Sequence, residues 1–282
     1  MTTHSNFSRL PRYAGRSLLW LALLLAMVPI VFLVITSLKP EGVTRTIPPT
    51  WVFHPTIENY SAVLSTGAGS SVTFGRLLFN SAAVSIGAVI LTIAVAVPAA
   101  YALTLKEFRR SKGVSSWILS TYMFPPIVAV IPLFIIAGNI GAIDTYPVLI
   151  IPYAAFNLPI AIWILRSSLE SIPIEVQEAA LVDGANRPQI VWHILTPLLM
   201  PAVATAGIIS LILSWNEFLL ALSLTRAAAK TSPVGVQEFT GLYGTQWGNL
   251  TAASCMIAAP IVVCVLVLRR RVVSGLAFGA VK

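Results

Sequence analysis

Charged side chains are missing from six long stretches of this chain, residues 17–38, 77–105, 113–143, 145–165, 188–216 and 239–268. The stretches are 22, 29, 31, 21, 29 and 30 residues long. Each exceeds the roughly 20 apolar residues with which an α-helix crosses a hydrocarbon core of about 30 Å. The pattern predicts an all-α membrane protein of six transmembrane helices, at about 17–38, 77–105, 114–137, 146–166, 198–224 and 249–268. Segments 1–16 and 269–282 flank this domain, and residues 167–197 connect the fourth and fifth spans. Pro125, Pro126 and Pro132 in the third span, with Pro152 and Pro159 in the fourth, predict bent helices whose freed carbonyls are satisfied inside a bundle. The first apolar stretch is too long for the core of a signal peptide and ends in no small-x-small cleavage site, so it reads as an uncleaved anchor.

Composition agrees with the pattern. Only 10% of the 282 residues are charged, 57% are hydrophobic and mean hydropathy is +0.86. Disordered, collagen-like and disulfide-stapled secreted classes are excluded, and the loops are too short for a separate soluble catalytic domain. The net charge of +8 is a matter of position. With six spans, Arg9, Arg12, Arg16, Lys106, Arg109, Arg110, Lys112, Arg166, Arg187, Arg269, Arg270, Arg271 and Lys282 share one side, 13 cations, against Lys39, Arg45, Arg76, Arg226 and Lys230, 5 cations, on the other. The positive-inside rule makes the 13-cation side, with both termini, cytoplasmic. The basic excess is a topology signal with membrane lipid as a secondary partner, and no aromatic-interleaved basic patch calls for nucleic acid. Cys255 and Cys264 fall in the last apolar stretch, where they read as packing residues. The longest polar loop, 39–76, with Trp51, Phe53 and Tyr60, faces outward, as an interfacial lid or a docking surface.

The connection 167–197 is the informative segment. Pro173 suits a helix first turn, Glu175 and Glu178 complement the helix dipole there, and Gly184 supplies a left-handed stop. Asn186 caps a second helix with Pro188 in its first turn and Pro197 at its end. Ile174, Leu181 and Val182 give this two-helix knob an apolar face.

Glu178-Ala179-Ala180, then Gly184, Ile194 and Pro197, resemble the EAA loop of bacterial ABC importer permeases, with Thr196 as the one departure. Ser214-Trp215-Asn216-Glu217-Phe218, Pro233-Val234-Gly235, Tyr243-Gly244, Trp247-Gly248, Gly275-Leu276 and the ending Gly279-Ala280-Val281-Lys282 resemble its carbohydrate-uptake branch, the maltose-permease-G-like subunits. The resemblance implies a multi-pass protein of the bacterial inner membrane that passes a sugar or sugar derivative inward. It implies a second permease subunit, an ATPase dimer that holds ATP and Mg, and an extracytoplasmic solute-binding protein. It also implies that Glu175, Glu178, Ala179, Ala180, Asp183, Gly184 and Pro197 contact the ATPase in a coupling loop.

The chain itself offers no catalytic or metal site and no cofactor. No Gly-Lys pair exists to build a phosphate-cradling loop, and His4, His54 and His193 are scattered. Glu217 is exceptional, because a carboxyl group in an apolar helix costs about 2.5–3.5 kcal/mol and faces a bundle interior or a wet cavity. It reads either as a lock between helices or, with Trp215 and Asn216, as a lining or gate of the solute pathway. Asn80, Asn157 and Gln246 are weaker candidates for that lining. A secondary transporter, or a permease for glycerol-phosphate-type solutes, is the alternative.

Overall fold

The computed structural model describes residues 12–66, 72–105, 110–241 and 244–280. Arg9, Lys106, Arg109, Tyr243, Val281 and Lys282, which carry part of the charge and motif pattern, lie outside them, as does His4. The main helices among the described residues are α1 (Arg12–Ser37), α2 (Glu58–Thr66), α3 (Phe74–Thr104), α4 (Ser111–Thr121), α5 (Pro126–Asn139), α6 (Tyr146–Leu169), α7 (Ile174–Val182), α8 (Arg187–Leu198), α9 (Met200–Trp215), α10 (Leu219–Leu224) and α11 (Trp247–Ala280). Among the described residues the one β-ladder is a two-residue antiparallel pair, Thr240–Gly241 with Gly244–Thr245.

Among the described residues four segments are long and apolar enough to cross a membrane alone: Gly15–Ser37, Phe74–Thr104, Tyr146–Leu169 and Trp247–Val267. Two more stretches qualify only as bent pairs, α4 with α5 at 83° and α8 with α9 at 82°. The first bend falls at Phe124-Pro125, where the proline pair excludes helical geometry from the residue ahead of it. The second does not fall at Pro197. The chain passes that proline through a π-helical turn, Ile190–Leu195, in which the Thr196 N–H reaches back five residues to Val191, and the helix breaks at Leu199. The expected fifth span is broken again at residues 216–218, and the last helix continues past the expected span end to Ala280.

The centre is the parallel pair α3 and α6, whose starts meet at Asn80 and Tyr146 and whose ends share one core cluster, with α9 beside both and α11 outside α9. Small residues make the close approach possible: Ala88, Ala96, Ala100, Ala161, Ala202, Ala206, Ala252 and Ala253 are all buried. Nothing in the apolar window of α1 is buried within the chain. It is apolar on every side, as suits a helix surrounded by lipid or by another membrane subunit.

At the end opposite α7, polar groups fasten the loops. Asp144, at φ +63°, accepts hydrogen bonds from four successive backbone N–H groups, Arg226, Ala227, Ala228 and Ala229, at 2.9–3.0 Å. Burial raises the pKa of its carboxyl group, but the four donors together outweigh burial and hold it below the ordinary value. Asn80, fully buried, donates to the carbonyls of Ala228 and Lys230 and accepts from the Tyr146 hydroxyl. Ser81 bonds Ser232, Lys230 pairs with Glu238, and Glu41 accepts from the Gly248 N–H at the start of α11. The segment 225–239 is thus tied to Asn80 and Ser81 in the second turn of α3 and to Asp144 just ahead of α6.

Candidate functional site

Where the two broken stretches approach α6, a pocket of about 320 Å³ opens. Its walls are Tyr122, Phe124 and Pro126 at the α4–α5 bend, Tyr153, Phe156 and Asn157 on α6, and Leu213, Ser214, Glu217 and Leu220 around the break between α9 and α10. Four aromatic rings and a few hydrogen-bonding groups line it. Tyr153 and Asn157 share one face of α6 because they are four residues apart. Asn157 is buried and donates to Ser214 Oγ at 2.9 Å, which joins α6 to the last turn of α9.

Glu217 is not inside a continuous helix, as the sequence pattern suggested, but in the gap between two. Both carboxyl oxygens accept hydrogen bonds: Oε1 from the Leu220 N–H at 2.9 Å, Oε2 from the Ala221 N–H at 3.2 Å and from the Tyr153 hydroxyl at 2.6 Å. The first N–H groups of a helix lack main-chain acceptors, and Glu217 takes that place for α10. A broken helix at membrane depth is tolerable only where such groups are satisfied within the protein.

Of the residues singled out in the sequence for a solute pathway, Asn157 and Glu217 line this pocket. Trp215 is buried and donates its indole N–H to the Ile257 carbonyl at 3.1 Å, binding α9 to α11. Asn216 is exposed and bonds Ile212 in its own helix. Asn80 belongs to the loop fastening described above, and Gln246, exposed at the start of α11, accepts from Asn249. Tyr122, Phe124, Tyr153 and Phe156 were missed. A sequence signal existed for some of them, because Tyr153, Phe156 and Asn157 recur at helical spacing and Tyr122 and Phe124 flank a proline pair.

At the far end of α6 the chain turns into the knob. Helix α7 runs from Pro173, its cap residue, and stops at Gly184, whose φ of +83° is the left-handed stop expected. The Ala185 N–H closes on the Ala180 carbonyl at 3.0 Å. Asn186 and Gln189 then form a reciprocal capping box at the start of α8. The knob's inner face is made by Gln177 and Ala180, not by Leu181 and Val182. Those two are 53% and 87% exposed and stand with exposed Glu175, Glu178, Ala179 and Asp183. Pro197 is exposed on α8. An acidic and apolar surface therefore projects beyond the helical bundle. Arg166, near the end of α6, braces its base through Glu170 at 3.0 Å and through Ser115 of α4.

Residues 92–274, which include α6, the knob and the broken stretch, match the family described as the binding-protein-dependent transport system inner membrane component. The chain belongs to that family. It is a permease subunit of an ABC importer, a multi-pass membrane component of a transport system that depends on a binding protein, and family membership sets the secondary-transporter alternative aside. Among its relatives, the trehalose transport system permease protein SugB of Mycobacterium tuberculosis is 36% identical over 91% of this chain and 93% of its own length. The sulfoquinovosyl glycerol transport system permease protein SmoH of Agrobacterium fabrum is 34% identical over 96% and 95%. A crystal structure of a bacterial ABC transporter that imports the acidic polysaccharide alginate contains a chain of 25% identity and TM-score 0.75, with 96% of this chain and 99% of that one covered.

Proposed function

We propose that this permease passes a sugar or sugar-derived solute from an extracytoplasmic binding protein into the cytoplasm by alternating access, driven by ATP hydrolysed on partner subunits. In this reading six spans cross the inner membrane, each bent pair counting as one, and both termini are cytoplasmic. The chain pairs with a second permease subunit, and an ATPase dimer carrying ATP and Mg docks on residues 167–197. The observation that carries the reading is the projecting face of α7, where Glu178, Ala179, Leu181 and Val182 are exposed together beside a rigidly capped turn. It lies beyond the end of α6, a helix about 36 Å long at 1.5 Å for each of its 24 residues. Coupling is a surface role for Glu175, Glu178, Ala179, Asp183 and Pro197, and a shape role for Ala180 and Gly184.

The pocket at the α9–α10 break suits the pathway. Aromatic faces stack on sugar rings, and Asn157, Ser214 and the Glu217 surroundings offer hydrogen bonds. Tyr122 and Phe124 are half exposed at its lip, where a second permease would close it. The solutes in the relatives' names, trehalose and sulfoquinovosyl glycerol, support the carbohydrate class.

Orientation is testable on its own. In a chain lacking Cys255 and Cys264, a cysteine replacing Ser168 is expected to react with an impermeant reagent only from the cytoplasm, and one replacing Thr66 only from outside. The reverse pattern would remove the knob from the ATPase side and overturn the reading.

A further inference from the structure

Two arms leave the knob. One is α6, an unbroken helix that runs backward in sequence from Leu169 to Tyr146. The other runs forward through α8, turns 82° at Leu199 and continues as α9 to Trp215. Their bases are packed together in one core cluster, with Leu165 and Leu169 of α6 against Ile190, Leu195 and Leu199 of the other arm. Beyond that cluster the arms meet again beside the pocket. There the side-chain contacts include Asn157 with Ser214 at 2.9 Å and Tyr153 with Glu217 at 2.6 Å. The second is the distal one, and it falls on the residue that terminates one arm and starts α10.

We propose that the Tyr153–Glu217 hydrogen bond is the joint that fastens the far end of the α9 arm to α6, two turns short of that helix's own end, so that a tilt of the knob moves α6, α9 and α10 as one frame around the pocket. Tyr153 is a positioning residue in this account, acting through Glu217. Glu217 accepts from three protein donors, and in this account it serves the solute through the frame they hold together. Tyr153 is 2% exposed, so its hydroxyl has no bulk water to exchange for this partner. Its other neighbours in the outer-half cluster are apolar, among them Leu149, Leu220 and Leu224. Without the bond, α10 keeps its main-chain contacts to Glu217 and its apolar packing on Leu149 and the Tyr153 ring, but its end of the second arm loses the directional hydrogen bond to α6. Motion generated at the knob then reaches α6 and the pocket wall out of step.

The inference rests on the permease reading, and the test separates the two. Tyr153→Phe removes one oxygen and keeps the ring. The full complex, with its partner permease, ATPase and binding protein, is reconstituted into vesicles, and solute taken up per ATP hydrolysed is measured. Tyr153→Phe is expected to co-purify with its partners at wild-type yield and to lower uptake per ATP by roughly tenfold, the factor implied by losing a hydrogen bond to a carboxyl group. Glu217→Gln keeps one accepting oxygen for the Tyr153 hydroxyl and should show a smaller defect, whereas Glu217→Ala removes the acceptor and should show at least the Tyr153→Phe defect. Tyr153→Phe added to Glu217→Ala should worsen it little, because both act on one contact. Wild-type uptake per ATP in Tyr153→Phe, or full additivity in the double variant, would overturn the joint. A raised half-saturation for solute in Glu217→Gln with unchanged uptake per ATP would overturn it too, and give Glu217 to the solute instead. If the wild-type complex itself showed no ATP-driven uptake, the permease reading would fail rather than the joint.

Discussion

Glu178→Lys is expected to leave the helical bundle intact and to strip solute-stimulated ATP hydrolysis from the reconstituted complex by roughly tenfold or more, the scale of placing a wrong charge in a charged interface. The side chain is exposed at the centre of the projecting face of α7, four residues before Val182, so its reversal disturbs a surface and not a core. Gly184→Val should have a comparable effect for a different reason. No atom lies within 4 Å of a Cβ built there, so there is no clash, but at φ +83° a β-carbon costs about 1–2 kcal/mol. A β-branched residue costs most, whereas asparagine tolerates the left-handed region. Gly184→Asn should therefore keep most of the coupling that Gly184→Val loses. Co-purified ATPase and solute-stimulated hydrolysis are the two readouts. Wild-type values in both Glu178→Lys and Gly184→Val would mean that this knob is not the coupling element.

The second large effect is expected at Asp144. Replacing it by alanine leaves the Arg226–Ala229 turn without an acceptor and puts a residue with no local hydrogen-bonding ability at φ +63°, at a cost on the order of 2–3 kcal/mol. Asparagine keeps one accepting oxygen and tolerates the backbone angle, so Asp144→Asn should cost less. The pH dependence has a definite sign. The folded carboxyl group has a depressed pKa, so its contribution is fully present above the unfolded value, about 3.9. It is lost as the pH falls through the folded value. Thermal unfolding of the purified protein should thus show a wild-type loss of stability in acid that is smaller in Asp144→Asn. Equal acid slopes in the two proteins would show that the four backbone contacts do not hold the carboxylate.

The long apolar helices were legible in the charge-free stretches because lysine and arginine are costly deep in hydrocarbon. Charges mark span ends and say nothing of breaks between them. The bend at Phe124-Pro125 was legible, since a proline restricts the residue before it whatever surrounds the chain. The break at Glu217 was not. Two of the donors to Glu217, the Leu220 and Ala221 N–H groups, are local, but the third, Tyr153, stands 64 residues earlier in sequence and is brought close only by the packing of α6 against α9. Pro197 misled for a related reason: the π turn ahead of it had already diverted the hydrogen-bond ladder, so the proline did not end the helix. Gly184 and the Asn186 cap were readable because caps are local chemistry. Asp144 carried no sequence signal, because its four donors lie more than 80 residues away.

The most direct test of the whole account is solute accumulation in vesicles containing this chain, a second permease subunit and the ATPase, with the binding protein outside and ATP within. Uptake is expected only when all four proteins, ATP and Mg are present, and is expected to be indifferent to a collapsed ion gradient. Uptake that persisted without the ATPase, or that followed an ion gradient in place of ATP, would contradict it.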